Sequence, residues 1–137
     1  MTYDIIGHFL GVDHAGHSYQ ADHKEMKRKL KEMNSIIEHV LKYLDDSTIL
    51  FVMGDHGMTE DGNHGGATND ETETILFAHS RKKFSTFIKK YGDQIKKNSR
   101  NTDNVEIINQ IDFVSTFSML FGIPIPYANL GLIYSIV

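Results

Sequence analysis

The chain has 137 residues, with 18 acidic and 14 basic side chains, so its formal net charge is −4. Its composition, 40% hydrophobic and 23% charged, is typical of a globular domain and excludes a disordered chain. The net negative charge argues against a general nucleic-acid-binding protein, and the lack of cysteine excludes disulfides and thiolate-bound zinc.

The first part of the chain predicts a strand, a polar loop and a long amphipathic helix. The apolar run Ile5–Val12 has the length of a buried strand, and a Gly/His/Asp loop follows over residues 13–21. Asp22 is a candidate N-cap for the helix, which is expected to end near Asp45. Apolar residues recur on one face of this helix, at Met26, Leu30, Met33, Ile37, Val40, Leu41 and Leu44.

Two further predicted strands flank a long polar loop. Thr48–Met53 is rich in β-branched and aromatic residues, and Thr74–Ala78 has the pattern of a third strand. The loop between them, Gly54–Glu73, contains six acidic residues and no lysine or arginine. Because so much uncompensated negative charge in one loop is costly, cations are expected to bind there.

The last third of the chain predicts two more helices. Arg81–Arg100 is a basic amphipathic segment, and Val105–Ile108 is a candidate short strand. Asp112 is a candidate N-cap for a helix that is expected to end at Gly122. Phe113–Val137 contains no charged residue, but its prolines and glycines predict a buried helix followed by a turn rather than a membrane span.

Strands separated by helices predict an α/β fold with a mostly parallel sheet flanked by helices. In such sheets, ligands bind in the loops beyond the carboxyl ends of the strands. Asp13 and His17 follow the first predicted strand, and Asp55, His56 and His64 follow the second. Carboxylate and imidazole groups without thiolates suit zinc, and less exclusively manganese or iron.

The same residues have a simpler interpretation one at a time. A single histidine in a loop is usually solvated, and Asp-Gly or Asn-Gly sequences are common turns. Five carboxylate or imidazole groups in two loops, each loop directly after a predicted buried strand, favour a metal site instead. Asp13 and His17 are four residues apart, so they converge if their loop makes one helical turn.

The sequence around these residues resembles a known superfamily. Gly11–His17, Gly54–Met58 and Asn63–Gly66 are similar to the metal-binding signature of the alkaline phosphatase superfamily. More narrowly, His8–His14 together with the Gly54 motif resembles the glycosylphosphatidylinositol (GPI) ethanolamine phosphate transferases. The class O type, which modifies the third mannose, is the nearest in pattern.

The resemblance covers most of the chain. Gly122–Pro126 is similar to the end of that family's catalytic core, whereas Arg81–Asn104 is interpreted as a lineage-specific insertion. Residues 1–137 are therefore expected to form the C-terminal portion of one alkaline-phosphatase-like catalytic domain.

The resemblance implies two zinc ions, with manganese as the alternative metal. Asp13, His17 and His64 would hold the first ion, and Asp55 and His56 would contribute to the second. The family completes its second site with an upstream Asp and a nucleophilic Thr, neither of which matches a residue of this chain. The chain alone is therefore expected to bind at most one zinc ion tightly, to be inactive and to self-associate.

The resemblance also implies a reaction. The family transfers phosphoethanolamine from phosphatidylethanolamine to a mannose of the GPI precursor glycolipid, and His14 would touch the substrate phosphate. Its members act at the endoplasmic reticulum membrane with the catalytic domain in the lumen, and membrane attachment would come from other parts of the full-length protein. No nucleic-acid partner is expected.

The sequence is also compatible with two other functions. Gly16–Tyr19 also resembles nucleotide pyrophosphatases and phosphodiesterases of the same superfamily. A non-catalytic metal-binding module is the third interpretation. The residues themselves support metal-assisted chemistry on a phosphate ester.

Overall fold

A computed structural model describes residues 4–82 and 107–134. The chain divides into two compact units, Met1–Lys82 and Lys83–Val137. The described elements of the first unit are α1 (Gly11–Tyr19), α2 (Lys24–Tyr43), β1 (Ile49–Met53), α3 (Asn69–Thr72) and β2 (Leu76–Ser80), and that of the second unit is α4 (Asp112–Phe121). This combination of helices and strands confirms the α/β class.

The predicted strand Ile5–Val12 is wrong. Residues 4–9 have no regular secondary structure, and α1 begins at Gly11. Within residues 4–82 and 107–134, no segment pairs with this run to form a sheet. A short apolar run does not by itself distinguish a strand from the start of a helix. Asp13 favours the helix, because a carboxylate in the first turn interacts well with the helix dipole.

The long amphipathic helix is confirmed as α2, although its cap differs from the prediction. His23 rather than Asp22 is the N-cap residue, and its Nδ1 accepts a hydrogen bond of 3.2 Å from the Glu25 N–H. On the exposed face, Arg28 forms ion pairs with Glu25 at 2.7 Å and with Glu32 at 3.3 Å. These local interactions support a helix that ends at Tyr43, close to the predicted end.

Helix α1 packs against α2, and their contact forms the core of this unit. Ala15 of α1 and Met26 of α2 are both buried. At the turn between the two helices, the rings of Tyr19 and His23 stack with centroids 4.9 Å apart. A helix of nine residues is marginal in isolation, so α2 supplies the surface that stabilises α1.

Strands β1 and β2 pair antiparallel, with Met53 opposite Leu76, so the parallel arrangement predicted for these strands is wrong. A parallel pair needs a crossover connection, usually a helix, whereas residues 54–75 contain only the four-residue α3. This segment therefore leaves and re-enters the sheet at the same end, where the Gly54 N–H donates to the Ile75 carbonyl at 3.1 Å. The result is a closed loop that carries three of the five predicted ligands.

The remaining strand and helix predictions have mixed outcomes. Thr48–Met53 is confirmed by β1 to within one residue, whereas β2 begins two residues after the predicted start of Thr74–Ala78. The predicted helix Arg81–Arg100 falls almost wholly on residues outside the described ranges. So does the first half of Val105–Ile108, and its second half has no regular secondary structure.

Helix α4 confirms the predicted helix that ends at Gly122. This glycine has φ +65°, and the Ile123 N–H donates to the Ser118 carbonyl at 3.0 Å, which is a common helix ending. Asp112 is the first residue of α4, and the N-cap position belongs to Ile111.

The segment after α4 is tied back to this helix by buried hydroxyl groups. The Ser115 hydroxyl donates to the Leu132 carbonyl at 2.7 Å, and the Thr116 hydroxyl oxygen accepts from the Tyr134 N–H at 2.7 Å. A helix followed by a turn is the arrangement that the sequence predicts here. Of the helices in residues 4–82 and 107–134, none has the length and apolar character needed to cross a membrane.

Candidate metal centre

Asp13 and His17 lie on the same face of α1, one helical turn apart. Their spacing of four residues brings Asp13 Oδ1 and His17 Nε2 to 3.4 Å. Both side chains are partly exposed, with 37% and 43% of their surface accessible, so the pair lies at the surface of the unit.

His64 reaches the same point from the loop between β1 and β2. Its Nε2 lies 3.1 Å from His17 Nε2 and 3.3 Å from Asp13 Oδ1. The three groups therefore form a cluster in which every potential ligand atom lies within 4.8 Å of the other two.

The environment of Asp13 fits a cation. Its Oδ1 is buried and makes no hydrogen bond within the part of the chain that the structure describes, although two imidazole nitrogens are close. A buried carboxylate oxygen without a donor is unfavourable, and a bound cation removes that cost.

The spacing of the three atoms also fits zinc. Two ligands that each lie about 2.0–2.1 Å from a tetrahedral zinc ion are about 3.3 Å from each other. The separations between Asp13 Oδ1, His17 Nε2 and His64 Nε2 are 3.1, 3.3 and 3.4 Å. Asp13, His17 and His64 are thus a donor set of suitable chemistry and spacing for one zinc ion.

His56 adjoins this cluster without belonging to it. Its ring stacks on that of His64 with centroids 3.8 Å apart, and its Nε2 lies 4.0 Å from Asp13 Oδ1. His56 Nδ1 lies 2.7 Å from the Gly57 carbonyl, to which it donates in the tautomer that leaves the Nε2 lone pair free. His56 Nε2 is also 3.8 Å from Asp55 Oδ1.

Asp55 and His14 are the most peripheral of the predicted site residues. The Asp55 side chain is 82% exposed, and its Oδ1 lies 3.8 Å from His56 Nε2. His14 is exposed on α1, one residue after Asp13, and so projects about 100° around the helix axis from it. The structure places neither residue in the three-residue cluster.

Comparison of the sequence with known proteins shows the family of the chain. Residues 3–110 match the type I phosphodiesterase / nucleotide pyrophosphatase family. The chain belongs to this family. No solved structure gives a significant match.

The relatives of this phosphodiesterase-family chain include three proteins with closely related names. It is 43% and 42% identical to GPI ethanolamine phosphate transferase 3 of Schizosaccharomyces pombe and of Saccharomyces cerevisiae. It is 38% identical to the human protein named GPI ethanolamine phosphate transferase 3, catalytic subunit. Each match covers 93% of this chain but only 11–13% of the relative, so the chain spans about an eighth of the length of these curated relatives.

In this member of the phosphodiesterase family, two glycines allow the His64 loop to lie directly on α1. Gly62 has φ +85°, and a Cβ at this position would collide with the Gly16 carbonyl oxygen. Gly16 itself faces the Met58 side chain, whose sulfur occupies the space that a Cβ would need. Both glycines lie within or next to the motifs, but the spacing of the motifs does not reveal that Gly16 and Gly62 touch.

The turn that precedes His64 is held by its own side chains. The Thr59 hydroxyl donates to Asp61 at 2.5 Å, and the Asn63 amide donates to the same carboxylate at 2.8 Å. These hydrogen bonds, first that of Thr59 and then that of Asn63, lower the pKa of Asp61. The Asp61 carboxylate therefore holds together the turn that leads directly to His64.

Proposed function

We propose that the chain is part of a metal-dependent phosphoethanolamine transferase of GPI-anchor biosynthesis. The names of its relatives support this function at 35–43% identity over 93% of the chain. The single structural observation that carries it is the Oδ1 of Asp13, which is buried, makes no hydrogen bond within residues 4–82 and 107–134, and lies within 3.4 Å of two imidazole nitrogens. In this proposal the chain is the C-terminal portion of an alkaline-phosphatase-like catalytic domain.

Asp13, His17 and His64 would hold a zinc ion, with manganese as the alternative. When bound, such an ion stabilises the charge that develops on the oxygens of a transferred phosphoryl group. Asp13 contributes the negative charge of the ligand set. Asp55 and His56 would contribute to a second ion, since the His56 Nδ1–H is engaged by Gly57 and its Nε2 is left as an acceptor.

The donor would be phosphatidylethanolamine and the acceptor a mannose of the GPI precursor. His14 is exposed beside the cluster, so its N–H is available to a phosphate oxygen of the substrate. The family's location, the endoplasmic reticulum membrane with the catalytic domain in the lumen, is part of the same proposal.

A chimera tests this function. The chain replaces the aligned segment of the S. cerevisiae relative, to which it is 42% identical, and the transfer of labelled phosphoethanolamine to the GPI precursor is measured in membranes. The account predicts transfer by the chimera and none by the same chimera with Asp13→Asn. Hydrolysis of a nitrophenyl ester of a nucleotide without any transfer would instead assign the chain to a hydrolase, as the name of the matched family allows.

A further inference from the structure

Glu71 of α3 contacts the loop segment that follows His64. Its Oε1 accepts a hydrogen bond of 2.8 Å from the Gly66 N–H. Its Oε2 accepts from the Thr68 hydroxyl at 2.6 Å and from the Thr68 N–H at 3.2 Å. One carboxylate therefore fixes the backbone two and four residues after His64.

The same residue also fixes the segment that follows His56. The Gly57 N–H donates to the Glu71 backbone carbonyl at 2.8 Å. The Gly57 carbonyl in turn accepts from His56 Nδ1 at 2.7 Å, which orients the His56 ring. Gly57 is packed so closely on α3 that a Cβ there would collide with the Asp70 carbonyl oxygen.

We propose that Glu71 is a positioning residue whose carboxylate orients the imidazole of His64 toward Asp13, while its backbone carbonyl helps to fix the segment after His56. This inference rests on the proposed metal centre for its role, but its geometry is independent of any bound ion. Glu71 touches none of the three ligand atoms and acts only through Gly57, Gly66 and Thr68.

A simple helix cap does not account for these contacts. The reciprocal bonds between Thr68 and Glu71 form a capping box for α3, which has only four residues. The hydrogen bonds that Gly66 and Gly57 donate to Glu71 lie outside that capping box and join two separate segments of the loop between β1 and β2. Hydrogen bonds from Thr68 and then from Gly66 lower the pKa of Glu71, so the carboxylate is ionised at neutral pH and accepts from both residues.

Three variants of the chain test the proposal. Glu71→Gln keeps the shape and one acceptor oxygen but turns an amide N–H toward the donors of Thr68, and Glu71→Ala removes both side-chain acceptors while keeping the backbone carbonyl that accepts from Gly57. Glu73→Gln makes the same chemical change two residues away and serves as the matched control. Each protein is checked for folding by its backbone amide spectrum.

The first readout needs no metal. Long-range ¹H–¹⁵N imidazole spectra of the metal-free chain are compared, with His39 on α2 as the internal reference. Shifted His64 signals are expected in both Glu71 variants but not in Glu73→Gln, because the carboxylate is bonded to the segment after His64. The His56 signals should change less, because the Glu71 backbone carbonyl that accepts from Gly57 is kept in every variant. Unchanged His64 signals in Glu71→Gln and Glu71→Ala would overturn the proposal, whether or not the wild-type chain binds zinc.

The second readout is zinc affinity by calorimetry, well below the melting temperature of each variant. Loss of a residue that orients metal ligands weakens binding by about 10–100-fold, with Glu71→Gln at the lower end and Glu71→Ala at the upper end. Shifted imidazole signals with an unchanged zinc affinity would also contradict a role in the metal centre. Absence of zinc binding by the wild-type chain would refute the proposed metal centre itself, and the imidazole spectra would still decide the role of Glu71.

Discussion

Asp112 and Asp13 occupy the first turns of α4 and α1, yet their carboxylates meet opposite surroundings. Asp112 is buried, and both of its oxygens are satisfied. Oδ1 accepts from the Leu132 N–H at 2.7 Å, and Oδ2 accepts from the Asn109 amide at 3.1 Å. This carboxylate joins the helix to the segment that follows it.

Asp13 is more exposed as a whole, but its Oδ1 is enclosed and makes no hydrogen bond within the described residues. Its neighbours are the Nε2 atoms of His17 and His64, which are acceptors in one tautomer of each ring. An aspartate surrounded by donors stabilises the fold, whereas an aspartate facing other acceptors is suited to a cation. The difference lies in what the rest of the chain presents to each carboxylate.

Asp13→Asn gives the largest expected effect. The amide lacks the charge that a zinc ligand supplies, and its N–H₂ group turns a donor toward the histidines. Zinc affinity measured by calorimetry is expected to fall by at least about 100-fold, beyond the range seen for residues that only support ligands. The metal-free protein is expected to melt no lower than wild type, because the amide nitrogen that replaces this oxygen can donate to the histidine nitrogens. Equal zinc binding by Asp13→Asn and wild type would show that Asp13 is not a ligand.

Gly62→Ala is expected to disrupt the approach of the His64 loop to α1. Alanine at position 62 would have to adopt φ +85°, and its Cβ would collide with the Gly16 carbonyl oxygen. The free energy of unfolding should therefore fall by about 2–3 kcal/mol. Zinc affinity should fall as well. Gly122→Ala is the matched control in the other unit, since Gly122 also has positive φ but has open space around it. It should cost about 1 kcal/mol and leave zinc binding unchanged. Equal effects of the two substitutions on stability and zinc binding would argue against the contact.

Asp112→Ala tests the structural aspartate. Removal of the carboxylate leaves the Leu132 N–H without its partner, so the free energy of unfolding should fall by about 1–2 kcal/mol in urea denaturation. Asp112→Asn keeps the accepting oxygen and should lose less. Zinc affinity should be the same in all three proteins, and a loss of zinc binding in Asp112→Ala would contradict the division of roles.

Asp45 is exposed, and its carboxylate accepts hydrogen bonds from Ser47 and Thr48 of the same turn. Substitution of Asp45 is expected to have the smallest effect on stability. Hydrogen bonds from the hydroxyl groups of Thr48 and then Ser47 lower its pKa from 3.8 to about 2. Because its folded-state pKa is lowered, its contribution to stability is present above about pH 4 and is lost as the pH falls through about 2. The stability difference between wild type and Asp45→Asn should therefore become smaller as the pH is lowered from about 4 to about 2. A difference that stays constant with pH would rule out this contribution.

The sequence predicts best what depends on neighbours along the chain. The spacing of Met26, Leu30, Met33 and Ile37 is sufficient to define α2, and the separation of Asp13 and His17 by four residues places both on one helical face. The end of α4 is equally local, since Gly122 readily adopts the left-handed conformation that the helix ending needs.

The features that sequence reasoning missed depend on contacts between distant residues. The direction of pairing between β1 and β2 is set by the path of residues 54–75, which composition does not reveal. The position of His64 depends on the contact between Gly62 and Gly16, 46 residues apart in the numbering. The strand predicted over residues 5–12 is wrong because an apolar run does not show whether a partner strand is present.

Zinc K-edge X-ray absorption of the zinc-loaded chain shows whether Asp13, His17 and His64 hold the same ion. Asp13, His17 and His64 binding one ion predicts nitrogen and oxygen neighbours at about 2.0–2.1 Å, with the outer scattering of two imidazole rings. In His64→Ala the imidazole scattering should fall by half. A spectrum without imidazole scattering, or one unaltered by His64→Ala, would contradict the shared site.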